Sequence, residues 1–469
     1  MTLPAFAPAT AADPALEAHL DATRDARLES YMDFLRIPSI SALPEHAPDC
    51  RRAAEWLAAA LTEAGLEHVD VSETGGHPVV YADWLHASDA PTVIVYGHYD
   101  VQPVDPLDLW TSPPFEPIIE GDRLLGRGAA DDKGQIHAHV MAAKAILATR
   151  GAFPINVKYV FEGEEESSSV HLDRWLEANR ERLTADAAII SDSGFFEGNI
   201  PAITVSLRGI MYAQIDVVGT AVDLHSGGYG GAVQNPAMAL ATILANLKGP
   251  DGRVRIPRFY DDVMPLTDSE KAALDALPFD EAAYLQRLGL SELVGEVGYT
   301  TLERRGARPT LDVNGIWGGF QGEGSKTIIP AHAHAKVSSR LVADQDPVKI
   351  FEALEAYVEE IAPPGVTVTV RDLGGGRPSQ TPIDHPVTRA AARALHSIFG
   401  REPVYIREGG SIPVCASFAS ILGLPVVLLG FTPPDDNAHA PNEFMDLTNY
   451  EGAIRAMIRA FDELADERF

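Results

Sequence analysis

Apolar positions recur at two spacings along the chain, and their alternation predicts the architecture. Leu16, Leu20, Leu28, Tyr31, Met32 and Leu35 repeat at helical spacing over residues 15–35 until Pro38 stops the run. Trp56, Leu57, Ala60, Leu61 and Ala64 line one face of a second helix, with Gly65 where it should end. Short unbroken apolar runs follow at residues 78–84, 92–96, 155–161 and 187–190, each bounded by breakers. Continuous rather than alternating hydrophobicity predicts strands covered on both faces. Between two of them Ile136, Val140, Ala143 and Leu147 predict an amphipathic helix. Helix and strand in turn predict an α/β domain on a mostly parallel sheet.

From about Leu207 the pattern changes. Strands are predicted at 211–218, 311–317, 331–342 and 366–370, and helices at 236–247 and 348–361, giving a β-α-β-β-α-β string typical of a compact α+β sandwich. Residues 251–308, rich in charge and proline, read as a peripheral excursion within it. After Gly376 the buried-strand pattern returns at 425–429, followed by a last helix over 450–464. The simplest organisation is an α/β domain (residues 1–207 and 377–469) interrupted by an inserted α+β domain (208–376), with no internal repeat or low-complexity tract.

Composition narrows the function. The 469 residues are 46% hydrophobic and 22% charged, enough for a substantial core. The net charge of −30 repels phosphate backbones and anionic lipid, which argues against nucleic-acid and membrane partners and for a small-molecule one. Two cysteines, Cys50 and Cys415, can build neither a disulfide framework nor a thiolate cage, so any metal must sit on His and carboxylates. With no basic segment ahead of an apolar stretch and no long apolar run, a cytoplasmic location is expected.

In open α/β sheets ligands bind beyond the carboxyl ends of the strands. Here those ends carry Gly97-His98-Tyr99-Asp100, Glu162-Gly163-Glu164-Glu165-Glu166, Ser191-Asp192 and a loop reaching His439, while Asp131 and Asp132 start the intervening helix. Singly, these are ordinary loop histidines, helix caps and Asx turns. Together they put two histidines and several carboxylates on one rim, a ligand set for a pair of divalent ions of intermediate hardness.

These segments, with Gly126-Arg127-Gly128-Ala129-Ala130-Asp131-Asp132-Lys133-Gly134 and Asn437-Ala438-His439-Ala440-Pro441-Asn442-Glu443, resemble the dinuclear zinc peptidases that include carnosinases, aminoacylases, acetylornithine deacetylase and succinyl-diaminopimelate desuccinylase. Trp110-Thr111-Ser112-Pro113-Pro114-Phe115 and Glu408-Gly409-Gly410-Ser411-Ile412-Pro413 look most like the carnosinase-type cytosolic dipeptidases. The resemblance implies a zinc-peptidase catalytic domain whose inserted domain serves dimerisation. It implies two divalent ions per subunit, zinc first and manganese or cobalt as alternatives. Asp131 would bridge them, with His98 and Asp192 completing one site and Glu166 and His439 the other.

Asp100 would orient the His98 imidazole, and Asp131–Asp132 would be a cis peptide. Glu165, beside a ligand without being one, suits the general acid/base of amide hydrolysis. His225, in the Gly-rich segment 223–231, would reach the neighbouring subunit's centre of a homodimer and stabilise the oxyanion. Arg340 would hold the substrate's terminal carboxylate, with Gly410 and Ser411 beside it. One departure is visible: Ser168 stands where the resemblance implies Gly. The activity expected is hydrolysis of dipeptides or short peptides. The alternatives are an amidase releasing acyl groups from N-acyl amino acids and a catalytically silent metal-dependent binding protein.

Overall fold

The structure, a computed structural model, describes residues 13–409 and 412–469. They form two compact units: residues 13–205, Thr381–Ile406 and Pro413–Phe469 in the first, Ser206–Gln380 and the rest of 407–412 in the second.

In the first unit the strands run in the order Glu67–Ser72, Val79–Trp84, Asn156–Glu162, Thr92–His98, Ala187–Ile190, Val426–Leu428 and Ala202–Leu207. Thr92–His98 is parallel to both its neighbours, and Val426–Leu428 is parallel to Ala187–Ile190, whereas the outer pairings are antiparallel. Val79–Trp84 is buried throughout and the next strands nearly so, as unbroken apolar runs require. His98 lies opposite Glu162 in register, so the parallel strands end on one edge.

The helices stand where the apolar spacing puts them, with two differences. The single helix expected over 15–35 is two, Pro14–Ala22 and Arg24–Leu35, parted at Thr23. Thr23 Oγ1 donates to the His19 carbonyl and accepts from Arg27, whose guanidinium also reaches the Leu20 carbonyl and Glu451. That side-chain network, not a proline or glycine, turns the chain. The helix Lys133–Arg150 is buried on every side over its first three turns, rather than on one face. It packs against the strand Thr92–His98 and the helices Ala47–Ala64 and Leu447–Ala465.

Burying polar residues there demands partners. His137 Nδ1 lies 2.8 Å from the Tyr450 hydroxyl and Nε2 3.2 Å from Ser30 Oγ, with the ring stacked on Tyr31. His139 Nε2 is 2.7 Å from Ser191 Oγ. Burial pushes both imidazoles down to about 3. Between about pH 3 and 6.5 these two sites therefore bind more protons in the unfolded chain than in the folded one, so their contribution to stability rises with pH across that window and is lost on acidification. In excess chelator, His137→Gln should flatten that dependence by on the order of 1 kcal/mol per pH unit, read from urea titrations at pH 4 to 7.

The second unit is a four-stranded antiparallel sheet, in the order Thr310–Gly318, His332–Leu341, Gly209–Val218, Thr367–Gly376, with helices Pro236–Leu247 and Pro347–Ile361 packed on one face. The β-α-β-β-α-β string is thus realised. The excursion at 251–308 carries three short helices, Asp268–Asp275, Glu281–Leu288 and Thr301–Gly306, two of them opened by reciprocal caps, Thr267 with Glu270 and Thr300 with Glu303. No helix among the described residues is long and apolar enough to cross a membrane.

Candidate metal centre

The edge where the parallel strands end gathers acids and imidazoles from five stretches of the first unit. Gly97 precedes His98 because a Cβ there would stand 2.2 Å from Ile136 Cγ2 and 2.5 Å from Asp132 Oδ2. Asp132 Oδ2 instead accepts the His98 amide at 3.1 Å. The His98 ring is buried, its Nδ1 3.1 Å from the Asp100 carbonyl and 3.3 Å from Asp100 Oδ1. Those contacts place a ring proton on Nδ1 and turn Nε2 toward Asp131 Oδ1, 3.0 Å away, where it donates as an imidazolium or offers its lone pair to a cation. Asp100 Oδ1 and Oδ2 also accept the amides of Glu165 (3.3 Å) and Glu166 (3.0 Å), so one buried carboxylate fixes both the imidazole and the acidic turn.

That turn, Glu165–Ser167, ends on Ser168 at φ 81°, the left-handed conformation that glycine takes most readily. Serine adopts it here, its amide bonded to the Glu165 carbonyl, so the departure at Ser168 leaves the turn intact. The Asp131–Asp132 peptide is cis. Asp131 faces both ways: Oδ1 toward His98, and Oδ2 2.9 Å from His439 Nε2, which is itself 3.3 Å from Glu166 Oε2.

Among the described residues two sets of donor atoms lie within 4.8 Å of one another, one on His98, Glu165 and Asp192, the other on Asp131, Glu166 and His439. Burial works against the charged form of His98, yet Asp100 and Asp131 hold its pKa well above the usual histidine range. Burial, reinforced by neighbouring carboxylates, pushes Glu165 up to about 8 and Asp192 well above the carboxylate range. Glu166 Oε1 is buried with no hydrogen-bond partner, although Oε2 accepts Gln102 Nε2 at 2.7 Å. Four crowded carboxylates, two imidazoles with Nε2 turned inward and an orphaned acceptor fit a pair of divalent cations, which would displace the imidazole protons and relieve the repulsion.

A family model described as "Peptidase family M20/M25/M40" matches residues 94–463, a span that takes in this whole rim. The chain belongs to peptidase family M20/M25/M40. Among relatives of this M20 chain, the Cys-Gly metallodipeptidase dug1 of Schizosaccharomyces pombe is 30% identical over 462 residues, covering 95% of this chain and 97% of its own. The human Beta-Ala-His dipeptidase is 32% identical, covering 83% and 78%. Among solved structures, an M20 family metallo-carboxypeptidase from Sulfolobus solfataricus superposes with a TM-score of 0.80 at 34% identity, covering 94% of this chain and 99% of that one.

Two other expected site residues of the M20 chain, His225 and Arg340, stand on the second unit. His225 is exposed at the foot of a short turn, its Nδ1 accepting the Gly227 amide at 2.9 Å. A ring nitrogen that accepts an N–H carries no proton, so the remaining proton is on Nε2 and the ring can donate from there. Arg340 lies on His332–Leu341, opposite Thr310 and Ile210 in register. Burial, and then the positive charge of Arg340, lower the pKa of Arg208 to about 10. Gly410 and Ser411 lie outside the described residues. Two contributors have no role in the sequence reading: Gln102, which holds Glu166, and Glu443, the last residue of the segment that carries His439. The latter's signal is an acid directly ahead of the apolar pair Phe444-Met445.

Proposed function

We propose that this M20 chain is a metal-dependent dipeptidase that cleaves dipeptides or short peptides bearing a free terminal carboxylate. The observation that carries it is the pair of three-donor sets, joined through the two oxygens of Asp131, with the Glu165 carboxylate among them. The names of the fungal and human relatives support dipeptides as the substrate class. Zinc is the proposed ion, with manganese or cobalt able to serve the same mixed His and carboxylate set.

Bound divalent ions would supply Lewis acidity, polarising the scissile carbonyl and bringing the pKa of water toward neutrality. His98, Asp131 and Asp192 would hold one ion, Asp131, Glu166 and His439 the other. Asp100 would keep the His98 proton on Nδ1, so that Nε2 stays a lone-pair donor. A Glu165 carboxylate oxygen would take the proton of the attacking water and return it to the leaving amine nitrogen. Arg340 would clamp the terminal carboxylate, alongside Gly410 and Ser411. In a homodimer, the His225 Nε2–H of one subunit would donate to the developing oxyanion in the other. A cytoplasmic setting is proposed as well, in keeping with Cys50 and Cys415, both buried and outside any disulfide.

The test is the purified protein, stripped with chelator, reloaded with zinc, manganese or cobalt in turn and given Xaa-Gly and β-Ala-His dipeptides, their C-terminal amides, and N-acetyl and N-succinyl amino acids. Dipeptide hydrolysis should vanish on stripping and return on reloading. Amidating the terminal carboxylate should lower kcat/KM by roughly 10 to 100-fold, through loss of a charge-assisted pair. Turnover confined to the N-acyl compounds would replace the proposal with an amidase, and peptide binding without turnover would replace it with a silent binding protein.

A further inference from the structure

The small three-stranded sheet of the first unit, Ile118–Glu120, Arg123–Leu125 and Phe444–Asp446, sets Phe444 opposite Leu125. Glu443 is thereby laid under residues 126–132, the loop that carries Asp131. Its carboxylate is fully buried, and each oxygen accepts two hydrogen bonds. Oε2 takes Arg127 Nη1 at 2.7 Å and the Gly128 amide at 2.9 Å, and Oε1 takes the amides of Ala130 at 2.8 Å and Asp131 at 3.0 Å. Its own carbonyl accepts the Gly126 amide at 3.0 Å.

Five donors on six consecutive residues thus converge on one side chain and its backbone, while the amides of Arg127 and Ala129 go to the carbonyls of Pro114 at 2.9 Å and Gly126 at 3.1 Å. Gly128 sits at φ 83°, where a Cβ would stand 2.7 Å from Val101 Cγ1, so the loop can curl around the carboxylate only with glycine there. Arg127 closes the cage from the far side, its Nη2 3.1 Å from the Pro103 carbonyl and its guanidinium over the Trp110 ring. Four residues before Glu443, His439 is held at φ 59°. Asn442 pins the same segment by accepting the Thr111 amide at 2.7 Å and donating to the Leu109 carbonyl at 3.0 Å.

We infer that Glu443 is a positioning residue: its carboxylate is the template around which the Asp131 loop is wound, and it fastens that loop to the His439 segment so that the two donors approach as one unit. The inference rests on the proposed metal centre and assigns a role to a side chain that touches neither ion. All four side-chain contacts are donors, so only a carboxylate, an acceptor at both ends, satisfies them. An amide in its place must turn an NH2 group toward two N–H donors, whichever way it is flipped. Asp131 would reach both ions, but His439, on the segment the template fastens, serves only one, whereas the other is also held by His98 and Asp192 on strand ends the template does not touch. Loss of the template should therefore weaken one ion much more than the other.

The test uses cobalt(II), titrated into the stripped full-length protein with chelator competition, visible absorption and thermal melting of the stripped form in parallel. Wild type should take up two ions; uptake of none would overturn the metal-centre reading itself. Glu443→Gln should bind the ion on His439 10 to 100-fold more weakly and the ion on His98 and Asp192 only a few-fold more weakly, with an altered absorption envelope. Arg127→Met, which removes one donor of the four, should shift the same ion in the same direction by less, and it answers the question alone if Glu443→Gln does not fold. Wild-type binding of both ions by these variants would overturn the inference. Equal weakening of both ions in step with a lower melting temperature of the stripped protein would also overturn it, since that is the signature of a merely structural contact.

Discussion

Asp131→Asn should bind neither ion tightly and should hydrolyse dipeptides no faster than roughly 10⁻⁴ of the wild-type rate. Among the described residues Asp131 is the one carboxylate whose two oxygens face both histidines, Oδ1 toward His98 at 3.0 Å and Oδ2 toward His439 at 2.9 Å. His439 and His98 overcome burial and hold its pKa well below the usual carboxylate range. The asparagine keeps the shape but turns one of those oxygens into a donor and removes the charge that both partners require. Metal content by mass spectrometry after dialysis, together with steady-state rates, decides the matter. An Asp131→Asn protein that retains two ions and wild-type kcat would dismiss the bridging role.

Glu165→Gln should keep both ions yet lose about 10² to 10⁴ in kcat with KM little altered, because a general acid/base acts on the transition state and not on the bound peptide. The pKa of about 8 that burial gives this carboxylate suits exchange of a proton near neutrality. Its position also poses a sharper question, since a Glu165 oxygen falls within the set formed with His98 and Asp192. Metal content separates the two roles: an acid/base variant stays loaded, whereas a ligand variant loses an ion along with its rate.

Much of this was legible from residue order, and what was not has physical causes. Strand ends were legible because a strand buried on both faces must be apolar throughout, so the polar cluster after each run marks the rim. The join at Ala202–Leu207 was not read, since only Arg208 separates that strand from Gly209–Val218 and no turn signal intervenes. Pro386–Phe399 was passed over because its buried stripe rests largely on Ala390, Ala391 and Ala394, which carry little apolar contrast. The capped helices at 267–275 and 300–306 did have a signal, a Thr followed three residues later by a Glu, hidden in a stretch read for its charge. In the site, neither the closeness of Glu165 to His98 and Asp192 nor the four bonds of Glu443 follows from spacing. Both arise from tertiary packing between segments remote in sequence.

The strand Val426–Leu428 sits in the interior of the sheet, between Ala187–Ile190 and Ala202–Leu207. A ribosome must therefore deliver the whole second unit before the gap between those two strands can be filled. Until then the nascent chain carries two bare apolar ladders facing an open slot, the kind of surface that recruits chaperones or pairs with the wrong neighbour. Since His439 follows the late strand, the centre cannot close before the sheet does, and a chain caught half-made has no means of cutting peptides in the cell around it.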